Sequence, residues 1–187
     1  MRRRDLPRAS GDGSPEAANG TGVLLPIRPS LEPAEVASRL APVLTWEGAR
    51  NVVERSWRLV ARTDEFDAWL IAWPAGGRVE LHDHGWSRGA ISVINGRLVE
   101  AVPQRGESGR LSLVTRGVAA GETLGFDADH VHDVVNEGPE AALSLHVYSP
   151  GLRSMTFYAV EEERLVARRV EWAVDGAEEP AGQVAVR

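Results

Sequence analysis

The sequence predicts an all-β sandwich or barrel. From Asn51 onward, at least seven short runs rich in Val, Ile, Leu and aromatic residues are separated by turns that contain Gly, Pro or charged residues. Only one stretch of the chain has convincing helical spacing. With 187 residues, 43% of them hydrophobic, the chain can bury one core of ordinary size.

The first segment, residues 1–22, carries almost no branched aliphatic or aromatic side chains. Burial would therefore not offset the entropy lost on ordering, and a disordered tail is predicted. Residues 23–174 are predicted to form one folded domain and residues 175–187 a second loose tail. The basic start lacks the apolar core of a secretory signal and no apolar run could span a membrane, so a cytoplasmic protein is predicted.

One short helix is predicted ahead of the strands. In the stretch "PSLEPAEVASRLAPVL", Val36, Leu40 and either Val43 or Leu44 recur at helical spacing. Ser30 precedes them as a candidate N-cap.

The predicted strands then follow in chain order. They are the runs "FDAWLIAW", "GAISVING", "RLVEAV", "RLSLV", "HDVVN", "ALSLHVYS", "MTFYAV" and "RLVARRVEWAV", with "VELHDH" as a further strand ahead of "GAISVING".

Charge and cysteine content limit the function. The net charge of −6 and a pI near 5.4 argue against nucleic acid as a partner, because phosphate binding needs clustered positive charge. The chain has no cysteine, so any metal must be held by nitrogen and oxygen ligands.

Two histidines in "VELHDH" point to such a metal. His82 and His84 are two apart on a predicted strand, so both imidazoles project to one face while Asp83 points to the other. Imidazole suits Fe, Zn, Cu and Ni, but two ligands seldom hold an ion, so a third ligand is expected.

The alternation of side chains along a strand does not identify the third ligand. The candidates are His130 and His132 in "DADHVHDVVN" and His146 in "SLHVYS". On an extended chain His130 and His132 face the same way. All five histidines of the chain lie between residues 82 and 146, which favours a shared site over scattered structural histidines.

The spacing of glycines and histidines resembles the two sequence motifs of the cupin superfamily. Gly89 stands where many cupins have a metal-binding glutamate, and Asp127 and Asp129 depart from the usual proline and glycine of the second motif. The matching residues are Gly76, His82, His84 and Gly96 in the first motif and Gly121, His132 and Asn136 in the second.

Within the cupins, the chain resembles the type I cysteine dioxygenases from about Trp57 to Tyr158. The likeness is carried by "LHDHGWSRGA", "HDVVN" and "SLHVYSP". It implies a cupin barrel, also called a double-stranded β-helix or jelly roll, with a short N-terminal helical segment. It also implies Fe(2+) bound by His82, His84 and His132.

The activity implied by this resemblance is addition of both atoms of O2 to the sulfur of a small thiol, with L-cysteine giving cysteine sulfinic acid. The partners would be the thiol and O2, and the protein a monomer or weak oligomer. Two alternatives stay open. One is a dioxygenase of 3-mercaptopropionate or another small thiol. The other is a metal-binding cupin without oxygenase activity, such as a sensor or a zinc or manganese isomerase.

Further catalytic residues are predicted on one strand. Ser144, His146 and Tyr148 alternate, so their side chains share a face and could form a hydrogen-bond chain that ends near the metal. No nucleophile-elbow pattern accompanies Ser144, which argues against a hydrolase. Animal members of the family crosslink a cysteine to the tyrosine, but Gly89 occupies that position here.

A substrate carboxylate needs a cation, and arginine suits it best. The resemblance nominates Arg58 in "ERSWRLVAR", with Arg55 and Arg62 as alternatives. Four tryptophans are expected either to wall the substrate cavity or to belong to the core, namely Trp57, Trp69, Trp73 and Trp86.

Overall fold

In the computed structural model, which describes residues 31–173 and 184–186, antiparallel strands dominate the chain. The single α-helix of these residues, α1, spans Pro33–Leu40. The strands are β1 Leu44–Trp46, β2 Ser56–Arg62, β3 Asp67–Trp73, β4 Arg78–His82, β5 Arg88–Asn95, β6 Arg97–Arg105, β7 Leu111–Ala119, β8 Thr123–Phe126, β9 His132–Val135, β10 Ala142–Ser149, β11 Ser154–Glu161, β12 Arg164–Trp172 and β13 Val184–Val186.

The strands form two large sheets. One has the order β2-β3-β10-β5-β8 and the other the order β12-β11-β4-β9-β6-β7. Side chains from both sheets meet in one buried cluster that includes Ile71, Ile91, Leu98, Val134 and Phe157. The prediction of an all-β, two-layered fold with one short helix is therefore confirmed.

The ends of the chain add a small third sheet, in which β13 pairs with β1. Residues 184–186 of the segment predicted as a loose C-terminal tail therefore lie in a strand. The predicted N-terminal tail, residues 1–22, and the remainder of the C-terminal tail lie outside the described residues.

The helix lies where it was predicted, and its N-cap is Glu32. Ser30, the predicted N-cap, lies outside the described residues. Pro33 occupies the first turn, where its fixed φ fits a helix and its missing N–H would have no partner anyway. Ala37 is fully buried and packs in the same cluster as Leu70 and Leu145 on the outer face of the first sheet. Within the described part of the chain, no helix has the length and apolarity to cross a bilayer.

Strand β10 shows how the fold positions polar groups. Leu143, Leu145 and Val147 pack in the cluster that contains the helix, so the intervening side chains project into the space between the large sheets. Because both faces of β10 are covered, Ser144 and His146 are buried as completely as their apolar neighbours. The alternation thus delivers a row of polar groups to the interior.

Candidate metal centre

His82 and His132 are brought together by strand register. His82 ends β4, His132 begins β9, and the two residues are paired directly opposite one another in adjacent antiparallel strands. Their ring centroids are 4.8 Å apart, and the side chains are 3% and 1% exposed. Opposed positions on neighbouring strands place side chains within contact distance, so the register alone accounts for the pair.

His84 completes the group, although it does not lie on a strand as predicted. Strand β4 ends at His82, and the chain then turns, with the amide of Ser87 donating to the carbonyl of His84. The Asp83 carboxylate anchors this turn by accepting hydrogen bonds from the amides of Gly85 and Thr156.

The turn directs the His84 imidazole back to its neighbours. Its ring centroid lies 4.8 Å from that of His82 and 5.0 Å from that of His132. The hydroxyl of Tyr158 also donates to Asp83, at 2.6 Å. Burial acts to raise the pKa of Asp83, but these hydrogen bonds lower it, so the anchor is ionised at neutral pH.

Two hydrogen bonds set which nitrogens are free. Nδ1 of His82 lies 2.7 Å from the carbonyl oxygen of Glu80, and Nδ1 of His132 lies 2.6 Å from a carboxylate oxygen of Glu100. Both oxygens can only accept, so each Nδ1 carries the proton and each Nε2 presents a lone pair.

These residues fit a metal ion. One ligand atom from each of His82, His84 and His132 can be chosen so that all three lie within 4.8 Å of one another. Both ring nitrogens of His84 are buried and lack a hydrogen-bond partner among the described residues, which is a costly state that a coordinated cation would relieve. Burial also lowers the pKa of each of these histidines, which favours the neutral, metal-binding form.

His130, the rival third ligand, is engaged elsewhere. Its Nε2 donates to the same Glu100 oxygen that binds His132, at 2.8 Å. It is therefore not part of the group formed by His82, His84 and His132. Glu100 itself was missed by the sequence analysis. Its signal was an acidic residue at an inward-facing position of "RLVEAV", two residues after the buried Leu98.

No side chain fits at position 89. A Cβ there would lie 2.5 Å from the ring of Phe126 and 2.9 Å from the carbonyl oxygen of Val147. Phe126 instead stacks on His84, with ring centroids 4.7 Å apart and planes inclined by 28°. The space that a fourth, carboxylate ligand from position 89 would need is thus filled by an aromatic ring.

A cavity of about 310 Å³ opens beside the histidines. His82 and His132 line it from one sheet, while His146 and Tyr148 line it from β10 of the other. Apolar side chains form most of the remaining wall. They include Trp57, Trp69, Trp73, Ile71, Val79, Val134, Leu152 and Met155. The fourth predicted wall residue, Trp86, is 91% exposed and does not line the cavity.

Of the three candidate arginines, the structure brings Arg55 to the cavity and not Arg58. Arg58 follows the cavity-lining Trp57 by one residue and so faces the other side of β2, where its guanidinium lies 4.1 Å from the ring of Trp46. Arg62 is paired with Asp67, with N–O distances of 3.0 and 3.3 Å.

Arg55 differs from both because it presents a free guanidinium. The group lies 5.0 Å from the ring centroid of Trp57 and 5.7 Å from that of Trp73. Among the described residues it has no hydrogen-bond or ion-pair partner. Burial lowers its pKa, but an arginine remains charged at neutral pH. Arg55 is therefore a positive charge available to a ligand in the cavity.

The predicted chain of Ser144, His146 and Tyr148 is present as a set of contacts. Nε2 of His146 lies 3.0 Å from Oγ of Ser144, and Nδ1 of His146 lies 3.2 Å from the Tyr148 hydroxyl. Nε1 of Trp73 donates to the same Ser144 oxygen at 2.9 Å. The ring of Tyr148 is 5.1 Å from that of His84, so the chain ends beside the metal centre.

Comparison with known proteins places these features in a family. The family model described as cysteine dioxygenase type I matches residues 49–161, more than half of the chain. Similar solved structures include an uncharacterised conserved protein with a double-stranded β-helix domain from Klebsiella pneumoniae, at 20% identity over 63% of this chain and 86% of that one, with a TM-score of 0.42.

Two further solved structures are similar over about half of this chain. A cupin superfamily protein from Desulfitobacterium hafniense is 12% identical over 52% of this chain and 78% of that one, with a TM-score of 0.43. An oxalate oxidase in complex with glycolate is 24% identical over 44% of this chain, with a TM-score of 0.40, and the match spans only 41% of the oxidase. Two large antiparallel sheets around one interior agree with the cupin barrel that this family match implies.

The buried imidazoles predict that the metal-free protein loses stability in mild acid. Burial lowers the pKa of His82 to about 3, from the usual 6.5, and also lowers the pKa of His84, His132 and His146. Below about pH 6.5 the unfolded chain binds protons that the folded chain does not. The free energy of unfolding should therefore be highest above this pH and fall by up to about 1.4 kcal/mol per pH unit for each histidine as the pH decreases.

Urea unfolding of the metal-free protein at about pH 7.5, 6.5 and 5.5 measures this dependence. A free energy of unfolding that stays constant over this range would contradict neutral burial of the four histidines.

Proposed function

Because this chain belongs to the cysteine dioxygenase type I family, we propose that it is an iron-dependent thiol dioxygenase whose substrate is L-cysteine. The observation that carries the proposal is the pairing of two features at one cavity. Three uncharged imidazoles, two of them on the cavity wall, form a ligand set without a carboxylate, and the unpaired guanidinium of Arg55 lies on the wall of the same cavity. The first suits a thiolate bound to a metal, and the second suits a carboxylate.

Fe(II) would be held by His82, His84 and His132. Three neutral ligands leave the ion its full double positive charge, which favours an incoming thiolate over a site already partly neutralised by a carboxylate. When bound, iron supplies the one-electron chemistry that allows dioxygen to react with sulfur.

Arg55 would orient the substrate. A guanidinium binds a carboxylate through two parallel hydrogen bonds, and stacking against Trp57 and Trp73 restricts the side chain before the ligand arrives. Glu171 lines the same cavity, and its electrostatic interaction with Arg55 acts to raise the pKa of that guanidinium. A cavity with both a guanidinium and a carboxylate favours an amino acid, which carries both charges, over 3-mercaptopropionate, which has no amino group.

Tyr148 would place one hydroxyl proton in the cavity. Trp73 donates to Ser144, so the chain is best satisfied when Ser144 donates to Nε2 of His146 and Nδ1–H of His146 donates to the phenol oxygen. Burial lowers the pKa of His146 and raises that of Tyr148, so both groups are neutral at physiological pH. The Tyr148 hydroxyl is then left free to donate to the substrate sulfur or to the oxygen it gains.

The overall reaction balances without a further reductant. The thiolate sulfur loses four electrons, dioxygen gains four, the O–O bond breaks and two S–O bonds form. The thiol proton is released, and the product is the sulfinate.

Oxygen uptake tests the proposed activity. Protein loaded anaerobically with Fe(II) should consume dioxygen only when thiol is added, fastest with L-cysteine and more slowly with 3-mercaptopropionate or cysteamine. Faster uptake with 3-mercaptopropionate would identify that thiol, and not L-cysteine, as the substrate. No thiol-dependent uptake with any of the three would contradict the dioxygenase and leave a metal-binding cupin without oxygenase activity.

Replacing Arg55 by methionine keeps an apolar stem between the two tryptophans and removes the charge. We expect the KM for L-cysteine to rise about 10- to 100-fold, the equivalent of losing one charge-assisted hydrogen-bond pair. The KM for cysteamine, which has no carboxylate, should change little. Arg110→Met, which removes an arginine that is 79% exposed, is the matched control. An equal loss with both thiols would show that Arg55 does not bind the carboxylate.

Replacing Tyr148 by phenylalanine removes the hydroxyl and keeps the ring against His84. We expect kcat to fall by at least about tenfold, as for loss of a positioned proton donor, with iron content and KM near those of the wild type. Ser144→Ala should give a smaller loss, because it leaves the hydroxyl in place but no longer fixes the tautomer of His146. Loss of iron in Tyr148→Phe would instead make Tyr148 a structural residue or a ligand.

A further inference from the structure

Glu100 is a buried carboxylate that the proposed function does not use. It lies on β6, opposite Val134 of β9, and its side chain is 1% exposed. Burying a carboxylate costs several kcal/mol unless partners compensate it, so its place in the interior calls for a physical reason.

Three donors compensate Glu100. One carboxylate oxygen accepts hydrogen bonds from Nδ1 of His132 and Nε2 of His130, at 2.6 and 2.8 Å, and the other accepts one from Nε of Arg116. Three N–H donors, one of them on a guanidinium, thus converge on the two oxygens, which is the environment of an ionised carboxylate. They fix the direction of the Glu100 side chain from two sides.

The consequence for the metal centre follows from His132. The carboxylate holds the proton on Nδ1, fixes the orientation of the ring and leaves Nε2 as the lone pair that faces His82 and His84. An anionic acceptor on one ring nitrogen raises the basicity of the other. By contrast, His82 is supported by a neutral backbone carbonyl, and His84 has no hydrogen-bond partner on either ring nitrogen among the described residues.

We infer that Glu100 is a positioning residue of the metal centre, which orients His132 and raises the basicity of the His132 nitrogen that faces His82 and His84. The inference rests on the metal site of the proposed function and goes beyond it. Position 89 cannot carry a carboxylate beside Phe126, and the anion is placed instead one imidazole away from the ion. The ion would then keep three neutral ligands and its open positions, and the carboxylate would act on it only through the His132 imidazole.

A second metal ion at this cluster is the weaker explanation. Ligand atoms of Glu100, His130 and His132 do lie within 4.8 Å of one another. However, the carboxylate oxygen between the imidazoles already accepts from both, and the Arg116 guanidinium is bound to the other oxygen. A cation placed here would face an existing positive charge.

Cobalt affinity tests the inference without thiol or dioxygen. Purified full-length protein is stripped of metal and titrated with Co(II) in competition with a chelator, and the visible bands report the ligand environment. Glu100→Gln, which keeps the size of the side chain, should bind Co(II) about 10- to 100-fold more weakly and with shifted bands. The control, Glu161→Gln, removes an exposed strand carboxylate paired with Arg168 and should bind as the wild type does.

The direction in which the iron midpoint potential shifts distinguishes an effect of the Glu100 charge from a general structural change. In the iron-loaded protein, Glu100→Gln removes a negative charge and should raise the Fe(III)/Fe(II) midpoint potential. Arg116→Met removes a cation whose side chain is 48% exposed, leaves Glu100 in place and should lower that potential. Arg116→Met also keeps the inference testable if Glu100→Gln does not fold.

Three results would overturn the role of Glu100. They are wild-type cobalt affinity and spectrum in Glu100→Gln, a shift of the same sign in both variants, or no shift in Arg116→Met. If the wild-type protein binds metal and consumes oxygen with thiol, any of these results leaves the proposed activity unchanged. Conversely, wild-type protein that binds metal but shows no thiol-dependent uptake overturns the activity and not the role of Glu100.

Discussion

The pairing of His82 with His132 across β4 and β9 is the constraint on which the candidate site depends. This register sets two imidazoles side by side at the end of one sheet, and the turn anchored by Asp83 adds His84. All three rings are buried, so their protonated forms are disfavoured and their lone pairs are available. A slip of one residue between these strands would turn one imidazole away from the interior.

Several buried polar groups of the site are each held in place by a hydrogen-bond partner. His132 is supported by Glu100, and Tyr148 by His146 and Ser144. Two groups of the site lack such a partner among the described residues. One is the His84 imidazole, and the other is the Arg55 guanidinium, which lies beside the rings of Trp57 and Trp73. Supported groups are fixed in place, and the unsupported cation is the one that a ligand can engage.

Sequence reasoning succeeded where local periodicity or motif spacing was sufficient. Residues two apart on one strand share a face, which explains why the row on β10 was found, and motif spacing selected His132 as the partner of His82. Arg58 was nominated, whereas Arg55 is the candidate arginine that lines the cavity. A shift of odd length along a strand changes the face, and the resemblance did not fix the alignment to one residue. Glu100 was missed because its contact with His132 joins strands distant in sequence, which no local pattern records.

A thiol dioxygenase adds both atoms of dioxygen to the sulfur of its substrate. Reaction of the iron-loaded protein with L-cysteine under isotopically labelled dioxygen, followed by mass spectrometry of the product, tests this proposal. The expected product is cysteine sulfinic acid in which both sulfinate oxygens carry the label. Product in which either oxygen comes from water, or cystine as the only product, would contradict it.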